Sequence, residues 1–124
     1  MKVLEEGHLV SIMGDRSYAS DTINIPFLGA EAYFPFGAFS IAAAAGCPVV
    51  VLLTQKEPGR KYIVDMSNVI RPCYAKDKDK RGQLRQWVGE YAAIIEAFVN
   101  KFPYQCFMFH NVWSKEKESV DDNK

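Results

Sequence analysis

Apolar residues recur through the C-terminal third of the chain at spacings of three and four: Leu84, Trp87, Val88, Tyr91, Ile94, Ile95, Phe98 and Phe102. Arg85, Gln86, Glu90 and Glu96 fall on the opposite side, so the pattern predicts a long amphipathic helix from about Lys80, ended by Pro103. Thr22-Ile23-Asn24-Ile25-Pro26-Phe27 alternates polar with apolar, the period of a half-buried strand, and Pro26 puts it at an edge or a strand end. Pro48 to Leu53 is Val-rich without alternation, which predicts a strand covered on both faces. Pro58-Gly59 separates it from Lys61–Asp65, and this turn chemistry predicts an antiparallel hairpin. Pro35 and Gly46 bracket a helix over Phe36–Ala45. Leu9–Met13 reads as a short apolar strand that ends in Gly14-Asp15-Arg16. Residues 1–6 read as helix closed by Gly7; a helix that short is marginal alone, so it is expected to be the last turn of an upstream part.

These elements predict an α/β chain with a mixed, mostly parallel sheet flanked by helices. One domain is expected over residues 1–113, followed by a disordered charged tail over 114–124 that has too little apolar surface to fold.

Composition narrows the function classes. With 48% hydrophobic and 24% charged residues, the 124-residue chain is an ordinary globular sequence with room for one core. Fifteen basic residues balance fifteen acidic ones, so there is no basic field of the kind that marks nucleic-acid binding. Glu5 and Glu6 interrupt any signal-peptide apolar region. The stretch Ala38–Leu53 is shorter than the ~20 residues that cross a bilayer and is broken by Gly46 and Pro48. Cys47, Cys73 and Cys106 are scattered and make no C-x-x-C pair, so they are expected as buried free thiols with no metal site.

The familiar catalytic motifs are missing. There is no glycine-rich phosphate loop and no G-x-S-x-G elbow. Cys106 and His110 stand four apart, but their neighbours Phe107, Met108 and Phe109 favour a packing role. The run Lys76-Asp77-Lys78-Asp79-Lys80-Arg81 alternates in sign and reads as a solvated loop.

One order of parts is distinctive: a strand ending in Gly14-Asp15-Arg16, then Phe27-Leu28-Gly29, Phe34-Pro35-Phe36-Gly37, an Ala-rich helix, Gly46-Cys47-Pro48-Val49-Val50 and, later, Phe102-Pro103-Tyr104-Gln105. From about Gly7 to Trp113 this resembles the C-terminal portion of the lysophospholipid acyltransferase-like superfamily, in its bacterial lipid A biosynthesis (lauroyl or myristoyl) branch. The resemblance implies transfer of a fatty acyl chain from an acyl carrier protein or coenzyme A thioester to a lipid hydroxyl, with no other cofactor. Such a protein would be cytoplasmic and peripheral to the inner membrane, with the lipid acceptor and the acyl-thioester donor as partners of the full-length protein.

The family's general base is the histidine of His-x-x-x-x-Asp/Glu. Here Met13 stands five after His8 and Lys115 five after His110, so no catalytic residue is assigned within the chain. The glycerolipid branch carries an acid in its F-P-E-G block where this chain has Phe36.

What the resemblance leaves to these residues is acceptor binding. Asp15 and Arg16, at a strand end, would meet Phe34, Pro35 and Gly37 at a helix start. Arg16 and the helix amides would then form an anion site. The competing role for Asp15 and Arg16 is a local salt bridge or turn cap. A rival reading is a noncatalytic interaction module that uses the aromatic end, Phe102–Trp113, against a protein partner or a membrane surface. An uncovered apolar sheet face is expected to make the isolated chain self-associate.

Overall fold

The computed structural model describes residues 2–15, 21–108 and 111–113. The elements are α1 (Lys2–Glu5), β1 (Thr22–Phe27), β2 (Ala30–Pro35), α2 (Gly37–Ala45), β3 (Val49–Lys56), β4 (Tyr62–Ile70) and α3 (Lys80–Lys101), followed by a 3-10 turn over Pro103–Gln105. The class is α/β, as the patterns predict.

The sheet is not the mostly parallel one expected. The described strands form two separate antiparallel hairpins, β1–β2 and β3–β4. A parallel pair needs a crossover of a dozen or more residues, whereas the links from β1 to β2 and from β3 to β4 are short turns.

β1 and β2 turn at Leu28-Gly29, both with positive φ, +50° and +83°, the two-residue geometry that matches the right-handed strand twist. Leucine is a poor residue for that conformation, and the Glu96 carboxylate accepts a hydrogen bond from the Leu28 N–H at 2.7 Å. This is why the sequence does not announce β2: the turn is closed from α3, sixty-eight residues on. Pro35 therefore ends a strand, and the helix starts two residues later at Gly37.

The alternation in β1 places Ile23, Ile25 and Phe27 in the core with Ala32 and Phe34 of β2. α3 covers them with Leu84, Trp87, Val88, Ala92 and Ile95. Phe27 and Phe34 meet edge to face at 5.2 Å. Val112 is buried and accepts a hydrogen bond from the Tyr33 N–H at 2.8 Å, while the Trp113 indole N–H donates to the Phe27 carbonyl at 3.2 Å.

α3 starts at Asp79, whose side chain accepts from the Gly82 N–H at 2.7 Å. The charged run before it is anchored. The buried Gln83 accepts from the Ala75 N–H at 2.7 Å and donates to the Lys78 carbonyl at 3.0 Å, so the loop is tied down while its charges stay exposed.

Three further expectations fail. Leu9–Met13 is not a strand. Leu9 is fully exposed, with no neighbouring strand among the described residues for the segment to pair with. β3 is not covered on both sides. Val51 points inward at 4% exposure, while Val50 and Leu52 face out at 50% and 60%. Cys47 and Cys106 are half-buried and Cys73 is exposed, so the three cysteines are free but not core residues. α1 is a single turn closed at Gly7 (φ +81°), as expected. No described helix is long and apolar enough to cross a membrane. The charged tail and His110 lie outside the described residues.

Candidate functional site

Of the five residues expected to bind substrate, Asp15, Phe34, Pro35 and Gly37 lie among the described residues. Phe34 is 1% exposed and belongs to the core, with its ring edge to face against Tyr91 at 6.1 Å. Pro35 is the half-buried last residue of β2, paired with Thr22. Gly37 opens α2 after Phe36, which offers no side-chain cap to the helix. Asp15 is half-buried near Tyr91, whose hydroxyl is pushed up to about 12, first by burial and then by the negative charge of Asp15. Gly14 admits this approach, since a Cβ there would lie 2.6 Å from the Tyr91 Oη. Tyr91 also contacts Phe39 of α2 at 5.9 Å, so it links Asp15 to the region where β2 ends and α2 begins. Arg16 lies outside the described residues.

Two concavities flank α3. The first, of about 460 Å³, is polar and lined by Asp21, Thr22 and Asn24 of the β1 segment, Tyr33 of β2, Phe36 at the start of α2, and Arg81 and Arg85 of α3. The second, of about 420 Å³, is mainly apolar and lies between the inner face of β3–β4 and the C-terminal half of α3, where Leu53, Ile63, Ile94 and Phe98 face one another. Asp65 and Lys101 also line it, and a hydrogen bond from the Ser67 side chain, then one from its N–H, hold the Asp65 carboxyl below its ordinary value.

The sequence reading missed the two arginines of the polar cleft, which it placed in a solvated charged run and on the outer helix face. A signal was present. Cations near the start of a helix oppose the macrodipole at roughly 0.3–1 kcal/mol each, and α3 opens with Lys80 and Arg81 and carries no acid in its first turn. No group of histidines, cysteines or carboxylates among the described residues is arranged to hold a metal.

The aromatic end divides. Tyr104 and Phe107 are 94% and 67% exposed, whereas Val112 and the Trp113 N–H are engaged with the first hairpin. Gln105 clamps the end of β3 from both sides: its Oε1 accepts from the Lys56 N–H at 2.6 Å and its Nε2 donates to the Lys56 carbonyl at 3.0 Å.

No curated protein and no solved structure matches the chain significantly. The family model of the bacterial lipid A biosynthesis acyltransferases matches residues 1–115, nearly the whole length and all of both hairpins, α2 and α3. The chain belongs to the bacterial lipid A biosynthesis acyltransferase family.

Proposed function

We propose that the chain forms the acceptor-binding side of a lipid acyltransferase. In that reaction the acceptor hydroxyl oxygen bonds to the thioester carbonyl carbon, the carbon–sulfur bond breaks, and the hydroxyl proton passes through a general base to the departing thiol. The base and its orienting acid would come from residues outside these 124, because neither His8 nor His110 has an acid five positions on. The acceptor would lie where β2 passes into α2, against Pro35, Gly37 and the cluster that joins Asp15 through Tyr91 to Phe34 and Phe39. The acyl donor would be a carrier-protein or coenzyme A thioester, and the working location the cytoplasmic side of the inner membrane, in peripheral contact.

The observation that carries this reading is the family match over residues 1–115. Its test is to mix the purified chain with a fatty acyl thioester and a lipid A precursor, and to measure binding and turnover separately. Saturable binding of the precursor without turnover is expected. Absence of binding would remove the acceptor role, and turnover above a heat-killed control would show that a base exists within the chain.

A second reading, a noncatalytic interaction module, is favoured by the exposure of Tyr104 and Phe107. Under it the chain would bind no lipid A precursor, and replacing both aromatics with serine would abolish binding to a protein or membrane partner.

A further inference from the structure

The polar cleft beside the start of α2 is lined by two guanidiniums, those of Arg81 and Arg85, and by a single carboxylate, that of Asp21. Arg81 and Arg85 stand one helical turn apart on α3, so both reach the same side. Among the described residues neither has an acid within ion-pair distance. Nearby Lys80, by contrast, is engaged over the Tyr74 ring at 5.8 Å. The volume of about 460 Å³ lies within the usual span of small-ligand sites, ~300–1,000 Å³. Thr22, Asn24 and Tyr33 supply hydroxyl and amide groups able to donate and accept, and Asp21 supplies an acceptor. Phe36 lines the cleft at the uncapped start of α2, so the amide end of that helix adds positive potential there.

The arginines also stand on a fixed base. Asp79 caps the helix they belong to, and Gln83, between them in sequence, ties the preceding loop to the helix. A site whose backbone is already ordered loses less entropy when it takes a ligand.

We infer that this cleft captures a phosphate monoester, with the forks of Arg81 and Arg85 on its oxygens and Thr22, Asn24 and Tyr33 on the remaining oxygens or on hydroxyls of the carrier. Asp21 selects against a bare, fully solvated polyanion and favours a phosphate whose carrier presents a hydroxyl to it. The inference deepens the acceptor-binding reading and rests on it only for the nature of the carrier. Phosphate capture is read without acyl transfer, so the two fail separately.

The experiment titrates the full chain by calorimetry with glucosamine 1-phosphate, inorganic phosphate and glucosamine. In parallel it floats the chain with vesicles of phosphatidylcholine alone and of phosphatidylcholine containing phosphatidic acid. Glucosamine 1-phosphate is expected to bind more tightly than inorganic phosphate, and glucosamine not at all. R81Q and R85Q should each weaken binding about tenfold, the loss of one hydrogen-bonded charge contact, and raised salt should weaken it further. Both side chains are exposed, so the variants are expected to fold, which circular dichroism checks. Dependence on the two arginines in the soluble arm identifies a sugar phosphate as carrier, and dependence in the vesicle arm alone identifies a lipid phosphate. Binding unchanged in both folded variants, or no saturable binding of any phosphate in either arm, overturns the inference.

Discussion

β1–β2 and β3–β4 have the same topology and lie against the same helix, yet one is closed and the other open. The first hairpin puts Ile23, Ile25, Phe27, Ala32 and Phe34 under α3 and turns Thr22, Asn24 and Tyr33 away from that core. The second buries only Val51 and Ile70 and leaves Val50, Leu52, Val64, Met66 and Val69 exposed on its outer face. Between its inner face and α3 lies the apolar groove of about 420 Å³. The difference originates in the strands. An alternating strand needs one cover, and α3 supplies it. A strand apolar on both faces needs two, and among the described residues only the inner face has one. The second hairpin therefore leaves an apolar outer face exposed among the described residues.

The largest effect expected of this contrast is on stability. Phe34→Ala removes a ring that is 1% exposed and touches both Phe27 and Tyr91, and should cost about 3–5 kcal/mol in denaturant unfolding. Leu52→Ala on the open hairpin, at 60% exposure, should cost a small part of that. Equal losses at the two positions would mean that the outer face of β3–β4 is covered in solution.

The next effect is a pH dependence confined to the closed side. Because burial and the charge of Asp15 raise Tyr91 from 10.0 to about 12, its contribution is complete below pH 10. Between pH 10 and pH 12 the unfolded chain ionises this tyrosine and the folded chain does not, so stability falls as pH rises. The full loss is about 2–3 kcal/mol, at about 1.4 kcal/mol per unit of pKa. In Tyr91→Phe the alkaline slope from this residue should vanish while stability at pH 7 changes little. An unaltered slope would place the titration elsewhere.

The smallest effect on stability, and the clearest on association, is expected at the outer face. Replacing Val50, Leu52 and Val64 together with threonine should change folding stability by about 0.5 kcal/mol or less per site. The triple variant should nevertheless sediment as a smaller species than the parent at high concentration. Identical sedimentation of the two would show that this face does not drive self-association.

Legibility followed the range of the interactions involved. α3 was readable from its stripe and its terminating Pro103, and β3–β4 from Pro58-Gly59, because period and turn chemistry are local. β2 was not readable, since a Leu-Gly turn carries no sequence signal when Glu96 stabilises it from another element. The assignment of Phe34 to substrate also mixed two roles. As an inward residue of β2 it belongs to the core, while its neighbour in sequence, Tyr33, faces the polar cleft.

The sequence by itself determined the α/β class, the long amphipathic helix, the second hairpin, the family resemblance and the absence of a His-x-x-x-x-Asp/Glu dyad, because periodicity, turn residues and motif spacing are properties of the chain as written. Tertiary structure decided that β2 pairs with β1 in a sheet separate from β3–β4, that Asp15 comes to Tyr91, and that Arg81 and Arg85 meet Asn24 and Tyr33 across a cleft. The contacts that α3 makes here join residues separated by some fifty to seventy-five positions, and only the packing of α3 on the first hairpin brings them together.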